Sequence, residues 1–466
     1  MKITFYGAAK TVTGSKHLIT TEKQKNILLD CGLFQSKGSE TEYLNRHFGF
    51  EPSIVDYMIL SHAHTDHAGN IPHLVKEGFT GPIYATPATI DLCKIMLMDS
   101  AHIQESDIAY LNKKRIKKGE APLTPIYTEA DVTIAIQQFV PVKYNEGISI
   151  DDHIRFHFTD AGHILGSAAV NLEIDENGTT KKIFFSGDVG RYNDIILRAP
   201  QEFPQADIIL CESTYGNRLH EHTEDAEARL IKIVQETCVE RKGKLIIPAF
   251  SLGRTQEVVY ALDRAHTAGK MPHIPVYIDS PLAISATEIM RKHTESFNPE
   301  ILEYMQQDTD PFGYDEVFYI RDVADSKSLN DFPEPCIIIS ASGMMEAGRI
   351  KHHIKNNIED TNNTILIVGY VTPHSLGGKL KDGSTEVRIF GELYTVKAKI
   401  EIIDSYSAHA DYEELLRYLL CQDPKLVSKL FLVHGEDDAL FEFRNKLTDV
   451  GFGHIFIPDL GETYEI

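Results

Sequence analysis

Four side chains of the metal-ligand type lie within seven residues of the sequence, between Ser61 and His67. The stretch reads Ser-His-Ala-His-Thr-Asp-His and follows the apolar run 57–60, which predicts a buried strand. Gly69 and Pro72 come next and predict the start of a helix near Pro72. Imidazole and carboxylate groups together suit zinc and similar divalent ions. The stretch therefore predicts a metal site at a strand-to-helix turn, in preference to a polar surface turn that is rich in histidine.

Further side chains of the same type follow other apolar runs of the chain. Sites in open α/β folds lie at the carboxyl ends of strands, and the ligands of one site come from several turns. We therefore expect these strand ends to meet at one site. In chain order, the side chains that follow apolar runs are Asp30, His163, Asp188, Glu212, His409 and His434.

The composition is that of an ordinary globular protein. The chain has 466 residues, of which 42% are hydrophobic and 24% charged, and this length predicts two or three domains. No apolar stretch is long enough for a membrane span, and the first seven residues alternate like a strand, so we expect neither a membrane segment nor a signal peptide. The six cysteines are scattered without a CxxC pair, which predicts reduced thiols in the cytoplasm.

The net charge of −22 argues against a surface that binds nucleic acid everywhere, but it does not exclude a local basic groove. One basic run, Lys113–Lys118, stands beside Gly119. We interpret this run as a solvated loop in preference to a binding patch.

The pattern of the chain changes near Asn217. From there, helical segments alternate with apolar runs of the parallel-strand type, in the βαβ rhythm of a doubly wound unit. We infer an inserted domain over residues 217–406, with residues 1–216 and 407–466 forming one parent domain. The runs that predict strands in or at the end of the insertion are 245–250, 276–279, 336–339, 365–368 and 398–403.

The order of the motifs resembles a known family. The stretch 61–67, His163 and the turns at Asp30 and Asp188 are similar to the pattern of the metallo-β-lactamase fold. The further motifs Glu212–Gly216, Ser407–Asp411 and Val433–Gly435 resemble those of the β-CASP nucleases, which share that fold. The resemblance extends from Met1 to the last strand. It implies an α/β protein with a metallo-β-lactamase αββα sandwich and an inserted β-CASP α/β domain, whereas periodicity alone indicates only mixed α/β.

The resemblance also implies two Zn²⁺ ions. Three histidines would hold the first ion, two histidines and an aspartate the second, and one further aspartate would bridge both. The spacing of two between His62 and His64 supports this division, because both can lie on one side of an extended turn. Two such ions can share a hydroxide that attacks phosphorus in a phosphodiester. The implied ligands are His62, His64 and His163, then Asp66, His67 and His434, with Asp188 as the bridge, and Asp66 is also counted as catalytic.

Three other side chains acquire roles from the resemblance. His409 would be the general acid that protonates the leaving oxygen, and Glu212 would hold it and keep it cationic. The alternative is a His–Glu pair with a structural role only. Asp30 would orient ligands or water from behind the metal site, and its alternative is a turn-forming Asp before Gly.

Residues of the insertion would bind a substrate phosphate. The turn that contains Ser342 and Gly343 lies between a predicted strand and a predicted helix, where backbone amides can cradle a phosphate. A plain turn would have the same pattern, and it is the resemblance that favours a phosphate site. Arg254 matches another family position, with an ion pair inside the insertion as the alternative. Relatives often carry Arg where this chain has Gly378, and the neighbouring Lys379 is a point charge without the bidentate fork of Arg.

These features together predict a cytoplasmic, zinc-dependent ribonuclease with RNA as its partner. It would act as an endonuclease, a 5′–3′ exonuclease or both, and leave a 5′-phosphate and a 3′-hydroxyl; a homodimer is left open. A small-molecule hydrolase of the same fold is disfavoured by the insertion and the His409–Glu212 pair. A DNA nuclease of the same group is disfavoured because its members typically lack a histidine at the position of His434. A catalytically silent homologue is disfavoured because no ligand is missing.

Overall fold

The computed structural model describes residues 1–35, 38–220, 226–369, 371–372, 374–403 and 407–466. The chain forms two compact units. The first consists of Met1–Leu219 with His409–Ile466, and the second of His220–Ala408. The domain boundaries inferred above, after residues 216 and 406, stay a prediction, and Tyr406 lies outside the described residues.

The strands are short and are distributed over the whole chain. In chain order they are β1 (Lys2–Phe5), β2 (His17–Thr20), β3 (Asn26–Leu29), β4 (Tyr57–Ile59), β5 (Ile83–Ala85), β6 (Phe139–Pro141), β7 (Ile148–Ser149), β8 (Ile154–Asp160), β9 (Ala168–Glu176), β10 (Thr179–Phe185), β11 (Ile208–Glu212), β12 (Leu245–Pro248), β13 (Val276–Ile278), β14 (Val317–Tyr319), β15 (Ile337–Ser340), β16 (Thr364–Val368), β17 (Glu386–Ile389), β18 (Glu392–Thr395), β19 (Lys399–Ile403), β20 (Lys429–Val433), β21 (Ile455–Phe456) and β22 (Thr463–Glu465).

Helices connect these strands. No helix in the described part of the chain combines the length and the apolar character that a membrane span requires. In chain order the α-helices are α1 (Ser39–Arg46), α2 (Thr65–Ala68), α3 (Ile71–Lys76), α4 (Pro87–Lys117), α5 (Glu129–Ile136), α6 (Ala226–Val234), α7 (Arg254–Thr267), α8 (Pro281–Lys292), α9 (Pro299–Tyr304), α10 (Val323–Asp331), α11 (Ile350–Asn357), α12 (Leu376–Lys381), α13 (Tyr412–Leu419) and α14 (Asp437–Asp449), with short 3₁₀ turns at Pro52–Ile54 and Thr294–Ser296 and a π-helical segment at Gln235–Glu240.

Two seven-stranded sheets form the first unit. Their strand orders are β22-β1-β2-β3-β4-β5-β6 and β21-β20-β11-β10-β9-β8-β7. One buried cluster takes apolar side chains from both sheets, and a second lies between the second sheet and the helices α13 and α14. Helix α4 packs on β6 of the first sheet, and α5 packs on α4. The predicted αββα sandwich is therefore confirmed.

The side-chain alternation of the central strands explains this layering. On β10, Ile183 and Phe185 point into the cluster between the sheets, and Phe184 points into the cluster under the helices. The same period of two is seen on β11 and β20. Strands that are buried on both faces read as continuous apolar runs, and each fully buried Ile or Phe stabilises the fold by about 1.5–3 kcal/mol.

A parallel sheet organises the second unit. Its six strands have the order β14-β13-β15-β12-β16-β19, and all neighbours are parallel. The five strands expected from apolar runs are confirmed as β12, β13, β15, β16 and β19. The sequence analysis missed β14 and the hairpin of β17 and β18, which are short and exposed at several positions.

Two expectations about local structure need correction or refinement. The run Lys113–Lys118 is not a loop, because α4 continues through Lys117. Lys and Arg are good helix formers, and positive charge in the last turn stabilises a helix C-terminus, so the helix continues through the basic run. In addition, Asp66 and His67 lie on the short helix α2, before the helix α3 that begins at Ile71.

Candidate metal centre

Parallel pairing brings the polar strand ends together. In the first sheet, β3 and β4 are parallel neighbours with Leu29 opposite Ile59, so that Asp30 and the stretch 61–67 leave the sheet side by side. In the second sheet, β10, β11 and β20 are parallel neighbours. Asp188, Glu212 and His434, which lie at or after the carboxyl ends of these strands, are therefore at the same end of the second sheet.

The first group of donor atoms contains three imidazoles and one carboxylate. The His64 Nδ1 atom lies 3.1 Å from His62 Nε2 and 3.1 Å from His163 Nε2. The Asp188 Oδ2 atom lies 3.4 Å from both of those Nε2 atoms. One atom from each of the four residues lies within 4.8 Å of all the others.

The second group contains two imidazoles and an aspartate. The Nε2 atoms of His67 and His434 are 3.2 Å apart, and His434 Nε2 lies 3.4 Å from Asp66 Oδ2. The other oxygen of Asp188, Oδ1, lies 3.1 Å from His67 Nε2. The Asp188 carboxylate therefore faces the first group with one oxygen and the second group with the other.

Both groups fit zinc. Ligand bonds of 2.0–2.1 Å in a tetrahedral arrangement separate neighbouring ligand atoms by about 3.3 Å. The nitrogen–nitrogen and nitrogen–oxygen distances of 3.1–3.4 Å lie around that value. Among the described residues, the buried Asp188 Oδ1 atom has no hydrogen-bond partner. A carboxylate oxygen buried in this way is stabilised by a cation. The ligand atoms that face Asp188 would bind the same cation.

Burial keeps most of the first group neutral. Removal from water lowers the pKa of His62 to about 3 and that of His64 to about 4, and it lowers the pKa of His163 as well. Neutral imidazole is the form that binds a metal. The nitrogen lone pairs of these rings are therefore available as ligands at neutral pH.

Polar neighbours behind the ligands fix the orientation of two rings. Asp30 Oδ2 lies 2.6 Å from His67 Nδ1, and the Ser61 amide and hydroxyl donate to the same carboxylate, each at 2.8 Å. Thr214 Oγ1 lies 3.1 Å from His434 Nδ1. Such contacts orient metal-binding imidazoles. Sequence reasoning named Asp30 but missed Thr214 as a contact of His434; its position two residues after Glu212 is the only local signal.

His409 stands outside both donor groups, next to Glu212. The His409 Nδ1 atom lies 3.2 Å from Glu212 Oε1 and 4.0 Å from Asp188 Oδ2. Glu212 is fully buried, and its carboxylate accepts hydrogen bonds from the amides of Val189 and Thr214 at 2.6 and 3.3 Å. Burial lowers the pKa of His409, but the charges of Glu212 and Asp188 outweigh it and raise this pKa to about 9. The carboxylates of Glu212 and Asp188 therefore favour the protonated form of the ring.

Backbone segments cross closely around the centre. A Cβ atom on Gly32 would lie 1.6 Å from the Asp66 carbonyl oxygen, and one on Gly190 would lie 1.8 Å from the Gly162 carbonyl oxygen. Main-chain hydrogen bonds join the same segments. For example, the Cys31 amide donates to the His67 carbonyl at 2.7 Å. Only glycine permits this approach.

The expected phosphate-binding residues lie together within the second unit. The strands β15, β12 and β16 are adjacent and parallel, and they are followed by the Ser342–Gly343 turn, by α7 and by α12. Contacts connect these three segments, because the Phe250 ring packs against Gly343 and the Gly377 amide donates to the Met344 carbonyl at 3.3 Å.

Arg254 and Lys379 differ in how accessible they are to a substrate phosphate. Arg254 is buried and forms an ion pair with Glu257, the alternative that the sequence left open. Lys379 is exposed on α12, whereas Gly378 is buried and its amide donates to the Ser375 hydroxyl. Tyr370 and Pro373, in the segment where relatives often carry an Arg, lie outside the described residues.

Family comparisons agree with this geometry over most of the chain. The model of the family described as "Metallo-beta-lactamase superfamily" matches residues 14–216, and that of the "Beta-Casp domain" matches residues 255–380. The model described as "Zn-dependent metallo-hydrolase RNA specificity domain" matches residues 393–458. The first match lies within the first unit and the second within the second unit. The third begins near the end of the second unit and continues through most of the returning part of the first.

Individual relatives are similar over nearly the whole of this chain. The chain is 34% identical to Ribonuclease TTHA0252 of Thermus thermophilus, over 94% of each chain. It is 32% identical to the RNase J-like protein of Methanocaldococcus jannaschii, over 93% of this chain and 92% of that protein. It is 31% identical to Transcription termination factor FttA of Methanosarcina mazei, over 96% of this chain and 69% of that protein. With its αββα sandwich, its histidine and aspartate cluster and these matches, the chain belongs to the β-CASP family of metal-dependent hydrolases of the metallo-β-lactamase fold.

Proposed function

We propose that this protein is a zinc-dependent ribonuclease that hydrolyses phosphodiesters to a 5′-phosphate and a 3′-hydroxyl. The observation that carries the proposal is the position of His409, whose ring is held by Glu212 and lies 4.0 Å from the carboxylate that faces both donor groups. A cationic imidazole beside a metal centre suits protonation of a leaving oxygen. The relatives that are named ribonuclease or RNase J-like support RNA as the substrate.

Seven residues would hold two Zn²⁺ ions in this scheme. The bound ions supply Lewis-acid stabilisation of the charge that develops on the phosphoryl oxygens. The protein residues provide the geometry: Asp188 would be shared, and Asp30 would keep His67 oriented through its Nδ1 atom. The proposed set is His62, His64 and His163, then Asp66, His67 and His434, and the shared Asp188.

His409 would act through its Nε2 atom. Because Nδ1 faces Glu212, the Nε2–H bond is the one that can reach a leaving oxygen. Proton transfer from Nε2 as the P–O bond breaks would release a neutral alcohol instead of an alkoxide. The Glu212 carboxylate would stabilise the protonated ring.

Residues of the second unit would bind a phosphate of the RNA. The proposed contacts are Ser342 and Gly343 in the turn after β15, Lys379 on α12, and Arg254 at the start of α7. Phe250 is 40% exposed beside Gly343, and an exposed aromatic ring next to a phosphate site suits base stacking.

We also propose a cytoplasmic location. All six cysteines are free, and five of them are buried. Thiols that stay reduced are typical of proteins in a reducing compartment. Sedimentation of the purified protein decides between a monomer and a homodimer.

End-labelled RNA tests the function. Metal-loaded protein would be incubated with RNA that carries a 5′-monophosphate or a 5′-triphosphate, with DNA of the same sequence as a parallel substrate. We expect cleavage of RNA to products with a 5′-phosphate and a 3′-hydroxyl, and the product lengths distinguish internal from 5′-terminal cleavage. The Asp188→Asn variant, purified in the same way, controls for contaminating nucleases. Hydrolysis of a lactone or thioester without cleavage of RNA would overturn the proposal.

The pH dependence tests the pair of His409 and Glu212. His409 acts as an acid only while it is protonated, so activity is lost as the pH rises through its pKa, which Glu212 helps to raise to about 9. In Glu212→Gln the carboxylate charge is removed and the His409 pKa falls. We expect the alkaline limb of the kcat profile to move to lower pH. Both proteins would contain the same metals, so the shift between them reports the carboxylate; a limb that stays in place would show that the proton comes from another group.

A further inference from the structure

Helix α4 extends from the metal centre to a distant tip. At its start, the hydroxyls of Thr86 and Thr89 donate to the Gly166 carbonyl, at 2.7 and 2.8 Å, in the loop that carries His163. Helix α4 also packs against α2, the short helix that carries Asp66 and His67. The helix has 31 residues, so its far end lies about 45 Å from its start at a rise of 1.5 Å per residue.

Among the described residues, the hydrogen bonds and ion pair that attach the end of α4 lie along one side of the helix. Ala101 is the last buried residue of the helix. Beyond it, Asn112 pairs with the main chain of Leu123 through both amide atoms, at 2.9 and 2.7 Å. Arg115 donates to the Ala121 carbonyl at 2.8 Å and forms an ion pair with Glu120. These contacts hold the tip in place and leave the opposite side exposed to solvent.

The exposed side combines lysines with an aromatic ring. Tyr110 is 59% exposed and Ile103 is 49% exposed, and they are seven residues apart on one side of the helix. Lys113, Lys114 and Lys117 follow Tyr110 at spacings of three, four and seven, so they lie on the same side of the helix as Tyr110. The Lys114 ammonium group lies 4.3 Å from the centre of that ring. We call this surface, formed by the five residues just named, the α4 tip face.

The local charge is opposite to that of the whole protein. Between Ile103 and Gly119, the range that contains the α4 tip face, there are five basic side chains and two acidic ones, Glu105 and Asp107, although the chain carries a net charge of −22. Arg115 is neutralised by Glu120. Within the described residues, Lys113 and Lys117 form no ion pair. The α4 tip face is therefore a positive patch on an acidic protein, which suits a polyanion.

We propose that the α4 tip face is a second RNA-binding site, remote from the metal centre. The three lysines would contact successive phosphates of a single strand, and a base would stack on Tyr110. This inference rests on the proposed ribonuclease function and extends it, because it makes the affinity depend on RNA that lies outside the scissile region.

RNA fits this face better than an anionic membrane does. A helix that binds a membrane surface needs its apolar side chains on one side. Here Leu111 and Ile116 stand one and six residues from Tyr110, which places both on other sides of the helix. The remaining apolar area around the lysines is limited to Tyr110 and Ile103, and an aromatic ring among lysines is typical of sites for single-stranded nucleic acid.

The distance along α4 predicts a dependence on RNA length. A strand with stacked bases rises 3.4 Å per nucleotide, so about 13 nucleotides are needed to span about 45 Å. RNA of about 30 nucleotides can therefore occupy both places, and RNA of about 6 nucleotides cannot.

The test replaces Lys113, Lys114 and Lys117 together by glutamine, which preserves helix propensity. The matched control replaces three exposed lysines of the first unit elsewhere, Lys2, Lys182 and Lys425, and so makes the same change in net charge. The affinity of each metal-loaded protein for fluorescent single-stranded RNA is measured by anisotropy at several salt concentrations, and KM and kcat are measured with the same RNA.

We expect the triple variant to bind the longer RNA about 50-fold more weakly at about 0.15 M salt. The slope of log K against log salt concentration should be smaller in magnitude by about 2, because each of the three lost phosphate contacts contributes about 0.7. Its KM should rise while kcat is retained. The ratio of variant to wild-type KM should approach one as the RNA is shortened, because short RNA cannot reach the α4 tip face from the metal centre. Tyr110→Leu should also weaken binding, and Tyr110→Phe should restore it, because phenylalanine keeps the stacking surface.

Three results would overturn the inference, and they differ in whether they also refute the proposed ribonuclease function. If wild type binds and cleaves RNA but the triple variant equals the control variant, only the α4 site is refuted. If wild type neither binds nor cleaves RNA, the proposed function is refuted as well. If the triple variant keeps its RNA affinity but loses binding to vesicles of phosphatidylcholine and phosphatidylserine, the face binds anionic lipid instead.

Discussion

Replacing His409 by alanine should lower kcat for RNA by about 10²–10⁴-fold, the range for a group that transfers a proton in the transition state. The ring lies outside the two donor groups, and its Nδ1 atom is occupied by Glu212. We therefore expect the zinc content, measured by elemental analysis, to stay unchanged. A substrate with a much more acidic leaving group should be affected less, because its leaving oxygen needs no proton.

A matched control is available for this variant. His273 also pairs with a carboxylate, with Nδ1 at 2.7 Å from Glu316 Oε1, but its side chain is 89% exposed. His273→Ala should leave kcat unchanged. Loss of zinc from His409→Ala would mean that this histidine is a ligand, and unchanged kcat would mean that its role is structural.

Metal removal should have an even larger effect. We expect about two zinc ions per chain in the native protein, and complete loss of hydrolysis when a chelator removes them. Asp188→Asn should reproduce this loss, because the amide has only one oxygen, whereas the Asp188 carboxylate faces one donor group with each of its oxygens. Its zinc content should fall below that of wild type.

Thermal melting of the metal-free proteins separates a lost site from a lost fold. Asn has nearly the same size as Asp, so the metal-free variant should melt close to metal-free wild type. One tightly bound zinc ion per chain, together with full activity, would contradict the arrangement with two ions.

The strands were predictable where burial is continuous. The apolar runs that became β12, β15 and β16 are buried in the second unit, and a run of this kind is a strong signal for a strand of a parallel sheet. The pairing of β1 with β22 was not predictable, because Lys2 lies opposite Glu465 and nothing local in either segment indicates the other.

The candidate site shows the same division between local and distant information. The stretch 61–67 carries its chemistry in its spacing, so its metal role is readable from the sequence. The contact of Thr214 with His434 joins segments that are 220 residues apart, and it depends on the parallel pairing of β11 with β20. The partner of Arg254 lies only three residues away, but an i,i+3 ion pair and a phosphate contact leave the same pattern in the sequence.

The basic run at the end of α4 shows why composition alone misled. Lys113–Lys118 has the charge of a solvated loop, and it is solvated, but its backbone is helical up to Lys117. The difference matters because a helix fixes Lys113, Lys114 and Lys117 on the same side as Tyr110, whereas a loop would not.

The close backbone crossings around the centre bear on how this protein tolerates mutation. A methyl group at Gly32 or Gly190 would overlap a carbonyl oxygen of a neighbouring turn, and these turns cannot retreat without moving Asp66 or His163. In a survey of all single substitutions, the two glycines should therefore be as intolerant as the ligands, although they bind nothing. Intolerance to substitution at a position would then show that the position lies in a turn of the metal centre, and would not by itself show that its side chain takes part in the chemistry. Divergence of substrate preference among related proteins would then have to arise outside these crossings, at surfaces such as the α4 tip face, where side chains can change without moving the backbone.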